Sequence, residues 1–153
     1  MLKVPTRVRY SVRLVAYLAD WARPDEPIHL KQAAEDLDLS HRYLEQLVVP
    51  LKSAGLVKSV SGKRGGYYLA RPAEEIPVGQ VMEAAVGPMR IMDCLDPDTT
   101  CRFKDVCAAR RMWGLANVRI ADVLLEYTVA DVSEKKLRSI LEGEDQGDEP
   151  LKC

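Results

Sequence analysis

Histidine is scarce in this chain of 153 residues: only His29 and His41 are present. Aromatic residues are few as well, with a single Phe. No Ser/His/Asp set, nucleotide-binding glycine loop or paired carboxylates in a plausible cleft can be picked out, which argues against an enzyme. Also missing is any run near the roughly 18 apolar residues a membrane span needs. Arg7, Arg9 and Arg13 interrupt the first apolar stretch, which therefore does not read as a signal peptide. One domain, or a small domain with an oligomerisation element, is expected, and the expected compartment is the cytoplasm.

The net charge of -1 conceals an asymmetry. Residues 1–72 carry 12 Lys/Arg against 7 Asp/Glu, a balance of +5, whereas residues 73–153 carry 10 against 16, a balance of -6. A basic half next to an acidic half suggests a polyanion partner for the first half only.

The apolar spacing in that first half is helical. Thr6 is expected to cap a helix with Val8, Val12, Val15, Ala16 and Ala19 inward, ending before the loop ARPDEP. LKQAAEDLDLS reads as a second, short helix with Ala33, Ala34 and Leu37 inward, followed by a turn. Ser40 can cap a third, in which Leu44, Leu47, Val48 and Leu51 fall at i, i+3, i+4 and i+7. His41, Arg42, Glu45, Gln46 and Lys52 are then left facing outward. Pro50 should kink or tighten this helix, and Gly55 should stop it. Two strand-like runs follow, Leu56 to Val60 and Tyr67 to Leu69, around a glycine-rich turn holding Lys63 and Arg64. Two short helices joined by a tight turn and then a hairpin with a basic tip is the order of a winged helix-turn-helix.

Residues 73–93 form a connector containing the short helical piece VGQVMEAAV. The loop of residues 94–107 then places Cys94, Cys101 and Cys107 within fourteen positions. From Val106 to about residue 128 a long helix is expected, because Val106, Ala109, Trp113, Ala116, Ile120, Val123 and Tyr127 alternate steps of three and four. Such a helix, about 30 Å long, is more than one small chain can cover, so a homodimer through this seam is expected. A short helix over residues 129–141 and a disordered acidic tail over residues 142–153, ending in Cys153, complete the expected organisation. The fold class is mainly α with a small β wing.

Three thiols in a reducing compartment are metal or redox groups more often than structural bridges. Structural zinc sites favour four ligands with closer spacing than C-x6-C-x5-C. A thiol switch would leave one cysteine unexplained. Thiolates are also the usual ligands of iron–sulfur clusters, which tolerate one substituted ligand. Pro97 and the run DPDTT supply the bend such a loop requires, and Cys107 lies at the positive end of the long helix. Loss of a bound group is expected to release the loop from that helix.

Four segments together, YLEQL at 43–47, LKSAGLVKSVSGKRGGYYLAR at 51–71, VGQVMEA at 78–84 and the three-cysteine loop, resemble the bacterial winged-helix regulators of the iron–sulfur cluster regulator and nitric-oxide-sensitive repressor kind. The resemblance spans residues 1–141. It implies a homodimeric transcriptional regulator, more often a repressor, that reads a pseudo-palindromic double-stranded DNA operator. Ser40, His41, Arg42, Tyr43, Glu45 and Gln46 would serve as the reading set, with Lys63 and Arg64 on the wing. It further implies an iron–sulfur cluster on Cys94, Cys101 and Cys107, four-iron favoured over two-iron, whose state controls DNA affinity. A cluster-free thiol switch is the alternative.

The departures from the family are specific. Where relatives place a histidine ligand three residues after the third cysteine, this chain has Arg110. Where others offer an acidic ligand from the first helix, it has Arg9. The wing arginine of some relatives aligns with Ser61. Asp93, Asp96, Asp98, Cys153 or an exogenous group remain as candidates for a fourth ligand.

Overall fold

A computed structural model describes residues 3–133. Five α-helices and one two-stranded sheet follow in the order α1 (Thr6–Trp21), α2 (Leu30–Leu37), α3 (His41–Ser53), β1 (Val57–Val60), β2 (Gly66–Leu69), α4 (Val78–Val86) and α5 (Ala108–Glu126). This is the expected α-rich architecture with a small β wing.

The core is built around α1. Leu14, Val15 and Leu18 of α1 meet Ala33 and Leu37 of α2, Leu44, Leu47 and Leu51 of α3, and Val81 of α4 in one buried apolar cluster. Burial on α1 therefore extends beyond the stripe its spacing predicts: Ser11, Leu14, Tyr17, Leu18 and Asp20 are buried too, while Val12 and Ala19 are only half-buried. The physical reason is position, since α1 packs against α2, α3, α4 and the sheet at once. Thr6 is the first helical residue rather than the cap; Pro5 takes the cap position without a side-chain bond. On α2 the inward set is Leu30, Ala33 and Leu37.

Pro50 stands inside α3 and has no N–H to donate to the carbonyl of Gln46. Arg7 of α1 donates to that oxygen from Nη2 at 3.4 Å. Thus the acceptor freed by the proline is answered from a neighbouring helix.

β1 and β2 are antiparallel, with Val57 opposite Leu69 and Val60 opposite Gly66. A third short segment joins them, at Ile28, between the loop ARPDEP and the second helix, where the sequence assigns no element. Ile28 donates to Tyr67 O at 3.0 Å and accepts from Tyr67 N at 2.8 Å. Gly66 permits this approach, because a Cβ there would lie 2.5 Å from the Ile28 oxygen.

α5 begins later than its spacing suggests. Val106 lies in the preceding turn, with 75% of its surface exposed, and Cys107 caps the helix. The bond from Cys107 N to Phe103 O, at 2.9 Å, belongs to that turn and sets the boundary. At its far end α5 is tied to the core by Val78 N donating to Tyr127 O and Val129 N to Ile76 O, both at 2.8 Å. Gly79 brings α4 and α5 together, since a Cβ there would stand 3.1 Å from Leu125 Cδ2. Residues 129–133 are turns and a bend; the rest of the expected short helix, the acidic tail and Cys153 lie outside the described residues.

Candidate DNA-reading surface and cysteine loop

The α2–α3 corner turns through Asp38, a non-glycine residue in the left-handed region at φ 53°, and restarts at Ser40. Ser40 caps α3 by accepting from Tyr43 N at 3.2 Å, which fixes the entry of the helix that would carry the reading residues. His41, Arg42, Glu45 and Gln46 are exposed on its outer side. His41 Nδ1 stands 3.7 Å from Glu45 Oε1, an ion pair only when the imidazole is protonated. Tyr43 differs from its neighbours: half-buried, its ring meets Tyr10 of α1 edge-on at 5.9 Å. It packs α3 onto α1 more than it faces outward. Val49, 62% exposed, adds an apolar spot to the same outer side.

Gly65 N donates to Gly62 O at 2.9 Å, closing a turn whose two central residues are Lys63 and Arg64. Both side chains are exposed at the tip. Gly62, which enters the turn, has a φ of +113°, and a Cβ on Gly65 would meet the Val60 carbonyl at 2.3 Å. The hairpin is braced against α3 by Lys52, which donates to Ser59 Oγ at 2.7 Å.

The α1 arginines stand close to α3. Arg7 reaches α3, and the guanidinium groups of Arg9 and Arg13 stand 4.9 and 5.8 Å from the centre of the Tyr10 ring that abuts Tyr43. Their charge was legible in the sequence; their nearness to α3 required the helix packing. Behind the corner, buried Tyr17 donates a short hydrogen bond to Asp36 of α2, which Gln32 also supports. Burial and then the Asp36 carboxylate push the Tyr17 hydroxyl above its usual pKa, and the Tyr17 bond holds the Asp36 carboxyl below the usual range.

The cysteine loop runs from the short helical turn Asp93–Leu95 to the start of α5. Cys94 and Cys107 are half-buried, Cys101 is exposed, and all three are free thiols. Cys107 Sγ accepts from Arg110 N at 3.4 Å and so caps α5. As a donor set, three soft thiols suit an iron–sulfur cluster. Their arrangement is open: among the described residues no three His, Cys, Asp or Glu side chains stand together as a metal-binding group. Of the candidate carboxylates, Asp96 pairs with Arg90 at 2.7 Å and accepts from Asp98 N at 2.9 Å. Arg110, at the position of the relatives' histidine, bonds the loop's backbone instead, from Nε to Cys94 O at 2.6 Å and from Nη1 to Lys104 O at 3.0 Å.

The expected seam on α5 is only partly covered. Trp113 and Ala116 are half-buried, whereas Ala109, Ile120, Val123 and Tyr127 are exposed, and no residue of α5 is fully buried.

Comparison with known proteins settles the lineage. A sequence model of Rrf2, described as an iron-dependent transcriptional regulator, matches residues 4–135. The chain belongs to the Rrf2 family. Protein rrf2 of Nitratidesulfovibrio vulgaris is 34% identical over 131 residues, which covers 86% of this chain and 87% of that protein. Among solved structures, CymR, the global cysteine regulator of B. subtilis, superposes with a TM-score of 0.71 at 34% identity, covering 88% of this chain and 98% of that one. T. potens IscR superposes with a TM-score of 0.68 at 32% identity, covering 97% and 94%. This Rrf2-family chain is therefore a winged-helix, DNA-binding transcriptional regulator and not an enzyme. Among its described residues no helix is long and apolar enough to cross a membrane.

Proposed function

We propose that this regulator is a cytoplasmic homodimeric repressor whose operator affinity is set by an iron–sulfur cluster on Cys94, Cys101 and Cys107. Each copy presents the outer face of α3 to a major groove and the Lys63–Arg64 tip to the adjacent backbone. Gln46 can read adenine and Glu45 can accept from cytosine N4, while the wing cations neutralise phosphates. The observation that carries the sensing half is that three free thiols fall within the fourteen residues preceding α5, with Cys107 itself capping that helix. When bound, the cluster supplies a redox-reactive centre. Because the thiols stand apart, holding it requires the segment around exposed Cys101 to close toward Cys94 and Cys107.

Anaerobic purification with iron and sulfide analysis, followed by mobility shifts of loaded and stripped protein on DNA selected from a random pool, tests the reading. Each single Cys→Ala change in the loop is expected to abolish the visible chromophore. Stoichiometric zinc, or iron retained by Cys101→Ala, overturns it.

A thiol switch without metal is the second reading, favoured by the open arrangement of the thiols and by Arg110 occupying the ligand position. In that case iron is absent, and mild oxidation followed by reductant changes DNA affinity reversibly.

A further inference from the structure

Three positions of α5, one helical turn apart, hold the connector and the cysteine loop along one face of the helix. Arg110 joins the backbone on both sides of exposed Cys101, since its guanidinium reaches Cys94 O at 2.6 Å and Lys104 O at 3.0 Å. Gly114 follows, and a Cβ there would sit 3.8 Å from Leu95 Cδ2. Asn117 then grips the chain at two points: its Nδ2 donates to Met89 O at 3.1 Å, and its Oδ1 accepts from Ile91 N at 2.9 Å. Residues 110, 114 and 117 share a face because helix positions three and four apart are neighbours.

The chemistry of these bonds separates them from the thiols. Both side chains bond only main-chain groups, so none of their bonds uses a cysteine sulfur. The fork of a guanidinium gives two charge-assisted bonds with fixed geometry. An imidazole at residue 110 could bind a metal but could not span two carbonyls this way. Arg110 therefore supplies a backbone clasp that an imidazole at this position would not.

The geometry points to Arg110 and Asn117 as positioning residues that keep residues 89–104 seated on α5 whatever the thiols carry, so that a change at the thiols moves α5 through a loop that stays docked. This rests on the sensing role proposed for the loop. It replaces the sequence-based expectation that loss of the group frees the loop from the helix.

Hydrogen exchange over residues 89–104 in the full-length protein, as isolated anaerobically and after iron removal or mild oxidation, provides the test. It is run beside affinity for a DNA fragment selected from a random pool by the unmodified protein. The variants are Arg110→Ala, Arg110→Lys and Asn117→Ala, with circular dichroism as the folding control. In the unmodified protein these amides stay protected in both states. In Arg110→Ala they exchange on the order of tenfold faster or more. Lysine, a point charge without the fork, falls between. With all three cysteines intact, the affinity ratio between the two states shrinks in Arg110→Ala to within about twofold of unity.

Equal exchange in the unmodified protein and Arg110→Ala overturns the clasp. So does loss of protection in the unmodified protein when iron is removed. Faster exchange with an unchanged affinity ratio overturns the coupling to α5. If DNA affinity of the unmodified protein ignores both iron and oxidant, the sensing reading fails, while the exchange rates still decide the clasp. Should Arg110→Ala not fold, Arg110→Lys and Asn117→Ala decide the same comparison.

Discussion

α3 and α5 divide their apolar residues in opposite ways. On α3 the apolar residues Leu44, Leu47, Val48 and Leu51 are buried and the outer face is mostly polar. On α5 nothing is fully buried: Leu115 is 71% exposed and Met112, Val118, Ile120, Val123 and Leu125 are exposed around much of the helix. The first helix is finished by its own chain and has a polar face left for a polyanion. The second leaves apolar residues exposed between charged ones such as Arg111, Arg119, Asp122 and Glu126, a surface that the proposed homodimer would cover. With the homodimer proposed above, both faces follow from one rule, that apolar surface leaves water wherever a partner is available.

Truncating a finished face should show this difference most strongly. Leu47→Ala opens a cavity in the core and is expected to cost about 2–5 kcal/mol in urea unfolding, whereas Leu115→Ala should shift the chain's own stability by under ~0.5 kcal/mol. Similar costs at the two sites would erase the contrast. Next in size is Ile120→Asp, a charge placed on the exposed seam. Sedimentation is expected to show dimer association weakened by about 3 kcal/mol, roughly a hundredfold, with the winged domain still folded. A folded monomer for the unmodified chain would remove the reason given for the apolar outer side of α5.

On α3 the outer face can be divided further. Gln46→Ala is expected to cost about 1–3 kcal/mol and to relax preference at one base pair. Lys63→Ala with Arg64→Ala should instead weaken all sequences alike and reduce the salt slope by about 2. If Gln46→Ala and the Lys63→Ala, Arg64→Ala double variant behave identically, the division between helix and wing is wrong.

The smallest effect concerns the support behind that face. Asp36 has a lowered pKa, so its contribution is present above the ordinary carboxylate range and is lost as pH falls through and below it. Tyr17 has a raised pKa, so its contribution is present below about pH 10 and is lost as pH rises beyond that. Tyr17→Phe should flatten both limbs of a thermal-stability profile while leaving neutral pH only slightly affected. Unchanged acid and alkaline limbs would detach the pair from stability.

Much of this protein was legible in its residues because local rules and global fold agree there. The period of Leu44, Leu47, Val48 and Leu51, the cap at Ser40 and the glycines around Lys63 and Arg64 describe α3 and the wing without any long-range information. Such features depend on neighbours three or four residues away, and sequence order places those neighbours. Tertiary structure alone decided the rest. Ile28 joins the wing across 39 positions to Tyr67, Arg7 answers the carbonyl that Pro50 frees, and α1 is buried on more than one face because four elements surround it. Arg110 and Asn117 belong to the same class. As residue types they mark a missing ligand and a plain polar residue on a helix, and only the path of the chain brings the carbonyls of Cys94 and Met89 within their reach. A hydrogen bond between distant segments has no signature in either segment, since its energy depends on a distance that the fold sets.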